Sequence, residues 1–407
     1  MVNEIKKALM PYFSNDETEI NNSILDLVDK ICIEQIEPYA LEMDRAGVRL
    51  ENGKTIVHDQ VHKIIDSFRK NDIFGISAPE EYSGAGLSQA LYNTVIERVA
   101  SADASIAIYL ALHGALIDYL VHFGTKEQKE KYIPDMAQGK RLSGFLYTEP
   151  GSGSDLGSVK TKAVRNGDHY IVNGEKIFIS NAGMADTFSL IASTDPSKGT
   201  KGLSAFIFDA RDQPGFKVTR LEEKMGLHAS PTGAISFEDV KVPVENRFGE
   251  ENKGFSIILW GLSASRIGIG AQAVGIANAA YKAALNYTAQ RKQFGKKILD
   301  FQNTQFKLAD MATKIHLARN AYIHTARLKE SGNEFFQEAS IAKYYASEMA
   351  NQVTYDAIQL HGGNGFIAEY NVERFYRDVR VTTIYEGTSE VQKMIISREE
   401  MNKVDKS

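Results

Sequence analysis

Apolar residues recur every three or four positions over long stretches at both ends of the chain, and give way to short β-rich runs in the middle. From Gly261 to Arg291, the residues Ile267, Ile269, Ala271, Val274, Ile276, Ala280 and Ala284 fall at helical spacing. Residues 303–329 and 335–360 repeat the pattern, with Leu308, Met311, Ile315, Leu317 and Tyr322 assigned to one face. Three or four long amphipathic helices joined by short turns make a bundle. The same periodicity marks Ile24–Ala40 and Leu91–Phe123. Between the helical parts, His169–Val172, Ile177–Ile179, Thr187–Ile191, Leu203–Phe208 and Phe216–Thr219 read as strands. Turn signals separate them at Asn166-Gly167, Asn173-Gly174, Pro196, Gly202 and Pro214-Gly215. The order is therefore helical over 1–140, β over 141–250 and helical over 251–407.

Proline placement agrees. All nine prolines lie between Pro11 and Pro243. The remainder suits long helices, because proline inside a helix costs roughly 3 kcal/mol.

Composition narrows the class of protein. A chain of 407 residues has room for two or three layered units, and 43% apolar with 24% charged residues is ordinary for a globular protein. A net charge of −5 without any block of like charge argues against a nucleic-acid partner. Cys32 is the single cysteine, which rules out a disulfide framework or thiolate metal cluster and fits a reducing compartment. Residues 1–20 lack the apolar core of a signal peptide. They carry lysines at an amphipathic start, but acidic residues come early and arginine is absent. No run of 18 apolar residues is present, so no membrane span is expected, and the cytoplasm is the expected location.

Several motifs are incomplete. Gly151-x-Gly153 and Gly268-x-Gly270 do not extend to G-x-G-x-x-G, and the second lies in a helical pattern. Gly139-Lys140 and Gly295-Lys296 lack the Ser/Thr of a phosphate loop. The nine histidines include no HExxH pair, so no metal is expected, and no G-x-S-x-G elbow exists.

Four segments carry candidate chemistry. Thr148-Glu-Pro-Gly-Ser-Gly-Ser-Asp155 is small and polar enough to let an anionic ligand approach the backbone, and it equally suits a surface turn. In Tyr385-Glu386-Gly387-Thr388 a glycine interrupts a helical region beside a carboxylate. In partly apolar surroundings that carboxylate would be a general base; otherwise it is a solvated residue at a helix start. Arg291-Lys-Gln-Phe-Gly295, with Gln302 beyond, offers a guanidinium for a pyrophosphate or a solvated helix end. Gln359-Leu-His-Gly-Gly-Asn-Gly-Phe366 is a glycine-rich break between helices, compatible with a cap and turn.

Taken together, Leu146–Asp155, Phe237–Pro243, Arg266–Ile269, Arg291–Gly295, Gln359–Phe366 and Arg377–Thr388 resemble, in order, motifs of the acyl-CoA dehydrogenase family, and the resemblance covers nearly the whole chain. It implies an α+β multi-domain fold: an N-terminal helical domain, a middle β-barrel or sandwich domain and a C-terminal four-helix-bundle domain. It implies FAD as cofactor, oxidation of an acyl-CoA to its trans-2-enoyl product, an electron-transferring flavoprotein as acceptor and a homotetramer.

On the resemblance, Glu386 is the base that removes the α-proton while the β-hydride goes to flavin N5. Phe145, Tyr147, Thr148, Gly153, Ser154, Phe178 and Ser180 match flavin-contacting positions. Arg291, Phe294, Gln302, Gln359, Gly362 and Gly363 match positions that reach FAD across a subunit interface, and Thr388 and Glu390 match the last flavin contacts. Ser154, Ser263, Arg266, Tyr385 and Gly387 match substrate-contacting positions. Phe178 stands where several members carry tryptophan, Ser263 where aspartate is common and His228 where arginine is common. Ser265 occupies the place of the base in a minority of members and cannot take a proton. A flavin oxidase or monooxygenase on the same fold is the alternative. The intact Tyr385–Thr388 motif argues against a monooxygenase, and the acidic balance argues against a nucleic-acid-binding relative.

Overall fold

The computed structural model describes residues 1–404. Helix α1 (Val2–Leu9) leads to α2 (Asn15–Ile31), which opens on a capping box: Ser14 Oγ accepts from the Glu17 amide, and the Glu17 carboxylate accepts from the Ser14 amide at 2.9 Å. The periodicity over Ile24–Ala40 does not give one helix. The backbone widens over Cys32–Ile36 and tightens over Glu37–Tyr39, where Pro38 cannot donate, before α3 (Ala40–Ala46). A short hairpin, β1 (Arg49–Glu51) and β2 (Lys54–Ile56), and α4 (Asp59–Lys70) follow.

The periodic stretch Leu91–Phe123 is two helices, α5 (Gln89–Ala102) and α6 (Ala104–Phe123). Asp103 breaks it: its backbone is extended, and its carboxylate accepts from the amides of Ser105 (2.8 Å) and Ile106 (3.1 Å). Because both helices are buried nearly all round, apolar residues continue across the break and hide it. Helix α7 (Lys126–Ala137) ends the first helical part.

The middle strands are β3 (Ser143–Leu146), β4 (Lys162–Asn166), β5 (His169–Ser180), β6 (Thr187–Ser193), β7 (Leu203–Asp209), β8 (Phe216–Leu221), β9 (Thr232–Pro243) and β10 (Arg247–Phe248). They form one eight-stranded sheet in the order β10-β7-β6-β4-β5-β9-β8, with β3 parallel to β6. Two of the expected strands are one: β5 runs through Asn173-Gly174, where a register shift replaces the expected turn. Strands β3, β4 and β9 carry no clear alternation. β9 nevertheless pairs with both β5 and β8, and its residues Ile235, Phe237, Val240 and Val242 join Phe188, Phe206 and Phe208 in a core belonging to the sheet alone.

The last part comprises α8 (Gly254–Gln290), a hairpin of β11 (Lys292–Gln293) and β12 (Lys296–Lys297), α9 (Gln302–Glu330), α10 (Phe336–His361), α11 (Val372–Val379) and α12 (Ser389–Val404). Leu317 departs from its assigned face: two residues past Ile315 it is turned by about 200° on the helix, and it is 53% exposed. Helices α6 and α8 are long and apolar enough to cross a membrane, but 89% and 78% of their apolar windows are buried in the protein, so they are core helices. One hydrophobic core joins the two helical parts. A buried ion pair also links them, since Arg319 on α9 donates to Glu97 on α5 at 2.6 Å.

Candidate active site

Helices α8 and α10 converge on the turn that carries Glu386. Its backbone is left-handed, with φ of 55° at Glu386 and 92° at Gly387, so the glycine that interrupts the helical pattern marks an irregular backbone. Side chains from three helices hold the turn's carbonyls. Arg266 Nε donates to Glu386 O at 3.2 Å, Lys343 Nζ to Gly387 O at 2.7 Å, and Gln392 Nε2 to both, at 3.1 and 2.8 Å. Such convergence on a strained backbone marks a place where geometry is imposed.

The carboxylate makes one hydrogen bond among the described residues, accepted by Oε2 from Ser265 Oγ at 2.5 Å. Burial raises the Glu386 pKa from its ordinary value, against the opposing pull of Ser265, Arg266 and Lys343. Burial also brings the Lys343 ammonium down to about 8. The environment is thus that of a half-buried carboxylate with a raised pKa, not of a solvated glutamate. Tyr385 donates to Gln272 Oε1, and Gln272 donates to Ala104 O at 3.0 Å, anchoring the turn from its other side. Ser263 is occupied internally, donating to Leu259 O (2.9 Å) and accepting from Arg266 (3.2 Å).

The glycine-serine loop lies on the same side of the molecule. Tyr147 and the buried Tyr119 are both within electrostatic reach of Glu386. Phe145 stacks on Tyr147 with centroids 5.1 Å apart, and Tyr147 donates to Ser189 at 2.7 Å. The loop is built on a buried ion pair that leaves no local pattern in the sequence. Lys176 Nζ donates to Glu149 Oε1 (2.8 Å) and Tyr147 O (3.1 Å), while Glu149 also accepts from the amides of Lys160 and Thr161. Thr148 O accepts from Ile177 N at 2.9 Å, pulling β5 off its register. The resulting bulge puts Phe178 at φ 57° and leaves its ring 59% exposed, with Ser180 half-buried beyond it. Gly153 and Ser154 are exposed, and a Cβ at Gly151 or Gly153 would meet nothing within 4 Å.

Arg291, Phe294, Gln302, Gln359, Gly362 and Gly363 are gathered elsewhere, all exposed. The ends of α8 and α10 meet there, where Asn364 donates to Tyr287 (2.9 Å) and Tyr287 stacks on His361. Arg291 follows Arg266 by 25 residues of continuous helix, a separation of about 37 Å at a rise of about 1.5 Å per residue. A single chain therefore does not bring this group to Glu386. Thr388 caps α12, accepting from Val391 N at 3.3 Å, and Glu390 is exposed. His228 is engaged between Asp44 and Lys224 O.

These surfaces suit FAD: an exposed aromatic on a bulge, an open small-residue loop with free polar groups, and elsewhere an exposed arginine beside open glycines. Helical, sheet and helical parts around a half-buried carboxylate and an open small-residue loop make the setting of a flavin-dependent dehydrogenase. The chain matches the acyl-CoA dehydrogenase N-terminal domain over residues 18–140, the middle domain over 144–240 and the C-terminal domain over 252–401. It is 45% identical over 336 residues to the caffeyl-CoA reductase–Etf complex subunit CarC of Acetobacterium woodii, covering 82% of this chain and 88% of that one. The structure of butyryl-CoA dehydrogenase from Megasphaera elsdenii superposes with a TM-score of 0.88 at 39% identity, covering 96% of this chain and 99% of that one. That of an acyl-CoA dehydrogenase complexed with FAD, from Bacillus anthracis, gives 0.86 at 32% identity, covering 97% and 68%. The chain belongs to the acyl-CoA dehydrogenase family, and it is an oxidoreductase whose cofactor is FAD.

Proposed function

We propose that the chain dehydrogenates a short acyl-CoA thioester across Cα–Cβ, with Glu386 as base and an electron-transferring flavoprotein as redox partner. The observation that carries this is the Glu386 carboxylate, half-buried, raised in pKa and fixed by a turn that Arg266, Lys343 and Gln392 hold. The α-proton of a thioester is weakly acidic. A base whose pKa is raised shortens that gap. Bound FAD supplies the acceptor for the hydride that leaves Cβ. The proton passes from Cα to Glu386, and the electron pair of that bond becomes the new π bond.

Phe145, Tyr147, Thr148, Gly153, Ser154, Phe178, Ser180, Thr388 and Glu390 are assigned to FAD held by the same chain. Arg291, Phe294, Gln302, Gln359, Gly362 and Gly363 are assigned to FAD of a neighbouring subunit in a homotetramer. Ser154, Arg266, Tyr385 and Gly387 are assigned to the thioester. Ser263 is retained there as a weaker contact, because its hydroxyl is already bonded. The enzyme is placed in the cytoplasm. The redox partner and the short acyl group rest on likeness to an Etf-complex subunit and to a butyryl-CoA dehydrogenase.

The name of the first of these, a reductase, favours a second reading in which the working direction is reduction of a 2-enoyl thioester. Protonated Glu386 then returns its proton to Cα, by microscopic reversibility. Anaerobic bleaching by butyryl-CoA, set against reoxidation of the reduced enzyme by crotonyl-CoA, ranks the two directions. In both, Glu386→Gln retains FAD and loses about 10²–10⁴-fold in rate. Flavin bleaching at the wild-type rate in that variant removes Glu386 from the role.

A further inference from the structure

Ser265 stands one residue before Arg266 on α8, and its side chain faces Glu386 across the site. Its hydroxyl donates to Glu386 Oε2 at 2.5 Å, a short contact of the kind a hydroxyl makes with a carboxylate. It also lies 3.0 Å from Leu262 O, one turn back along the same helix. A serine hydroxyl has one hydrogen, so these are two alternatives. Glu386 Oε1 has no hydrogen-bond partner among the described residues and is not among the fully buried, unpartnered polar atoms. The two carboxylate oxygens are therefore inequivalent before any substrate arrives.

We propose that Ser265 is a positioning residue for proton transfer: it ties down Oε2 of Glu386, so that Oε1 is the oxygen that takes the α-proton. The inference rests on Glu386 being the base. Before transfer the hydroxyl donates to the anion and fixes the rotation of the carboxyl plane. After Oε1 has taken the proton, Oε2 is a neutral acceptor and the Ser265 hydrogen has Leu262 O as an equal alternative. Neither protonation state leaves the serine without an acceptor, so proton arrival orphans no buried group. Donation to the anion also favours the ionised form, opposing the burial that raises the Glu386 pKa. An alanine here removes the donor without adding bulk.

The charged and titratable groups facing Glu386 are Arg266 on α8, Lys343 on α10, Tyr119 on α6, Tyr147 just past β3 and the adjacent Tyr385. Burial raises the three phenols, so they stay neutral through the accessible pH range. Burial brings Lys343 down to about 8, so any limb it adds lies near pH 8.

The test uses the FAD-loaded enzyme and a 3-thia-acyl-CoA, which has no hydrogen at the β position. Loss of its α-protons to D₂O, followed by mass spectrometry, then reads proton removal without hydride transfer. In Ser265→Ala the lower pH limb of exchange moves up by roughly one pH unit, and the limb near Lys343 stays in place. Ser265→Thr, which keeps the hydroxyl, restores the wild-type limb. Ser265→Cys, a weak donor of similar size, falls between them and carries the comparison if the alanine variant does not hold FAD. Lower limbs that superimpose in the wild type and the alanine variant, or in the wild type and the cysteine variant where the alanine variant is lost, overturn the proposal. So does a threonine variant that holds FAD but behaves as alanine. Exchange that persists in Glu386→Gln overturns the assignment of the base instead.

Discussion

His228 takes a position where arginine is common in the family, and its ring is placed as a substitute cation. Nδ1 lies 3.0 Å from Asp44 Oδ1 and 3.1 Å from Asp44 O, while Nε2 lies 2.8 Å from Lys224 O. A carbonyl only accepts, so both ring nitrogens must carry hydrogen, which is the imidazolium. The Asp44 contact raises the His228 pKa above its ordinary value, outweighing partial burial. Arg377 holds the other side of Asp44 at 2.7 Å, and burial of that carboxylate is outweighed by the two cations, which lower its pKa. A group with a raised folded-state pKa adds stability that is complete below its unfolded value, about 6.5, and fades as pH rises through the folded value. We therefore expect the urea midpoint of the wild type to fall relative to His228→Gln as pH increases from about 6 to 8.5. Parallel midpoint curves would show that the ring has the same pKa folded and unfolded, and so gains nothing from Asp44. Such single-residue detail was partly legible: Glu386 announced itself through the glycine beside it, and His228 through its departure from arginine. Lys176 and Lys343 did not, because a lysine on a strand or helix looks solvated until its burial is known.

At the scale of elements, the contact of α6 with α8 shows why periodicity found the helices and missed their ends. Gly261 lies where the ring of Tyr119 crosses α8, and a Cβ there would sit 1.6 Å from Cζ of the ring. Tyr119 in turn donates to Ile258 O at 3.2 Å. The helical spacing is read from Gly261 on, yet the helix runs unbroken from Gly254, with the ring packed over the glycine. Gly261→Ala removes that space. Overpacking of this kind costs about 1–3 kcal/mol, and because Tyr119 lies near Tyr147 and Glu386, displacement of the ring also reaches the site. The expected outcome is a lower midpoint in thermal or urea unfolding together with slower flavin reduction. Unchanged stability would mean that the two helices can separate without penalty. The sheet was legible where apolar residues run together, as in β7, or alternate with polar ones, as in β8. It was not in β9, whose exposed residues 238 and 239 look like a turn although the strand passes through them.

For the whole molecule, the order of helical, sheet and helical parts was legible, whereas the sharing of one core by the first and last parts was not. Contacts such as Glu97 with Arg319 span more than 200 residues and leave no local pattern. The flavin site poses the same problem one level higher. Arg291, whose side chain makes no hydrogen bond or ion pair among the described residues, and Phe294, 93% accessible with only the edge of Phe301 beside it, lie on or next to a hairpin. Their separation from the Thr148 loop side of the molecule makes sense if a second copy supplies the Arg291 end of each cofactor site. Cofactor retention and assembly are then linked, since a ligand that binds only the assembled form stabilises it by mass action. Arg291→Ala removes a charge that matches a pyrophosphate while leaving the fold untouched, because its side chain makes no hydrogen bond or ion pair among the described residues. Extensive dialysis should strip FAD from this variant faster than from the wild type, and the stripped protein should dissociate at a higher concentration in sedimentation velocity. Equal retention would argue against the pyrophosphate role. Faster loss from a protein whose assembly does not depend on FAD would keep the pyrophosphate role but remove the link between cofactor and assembly.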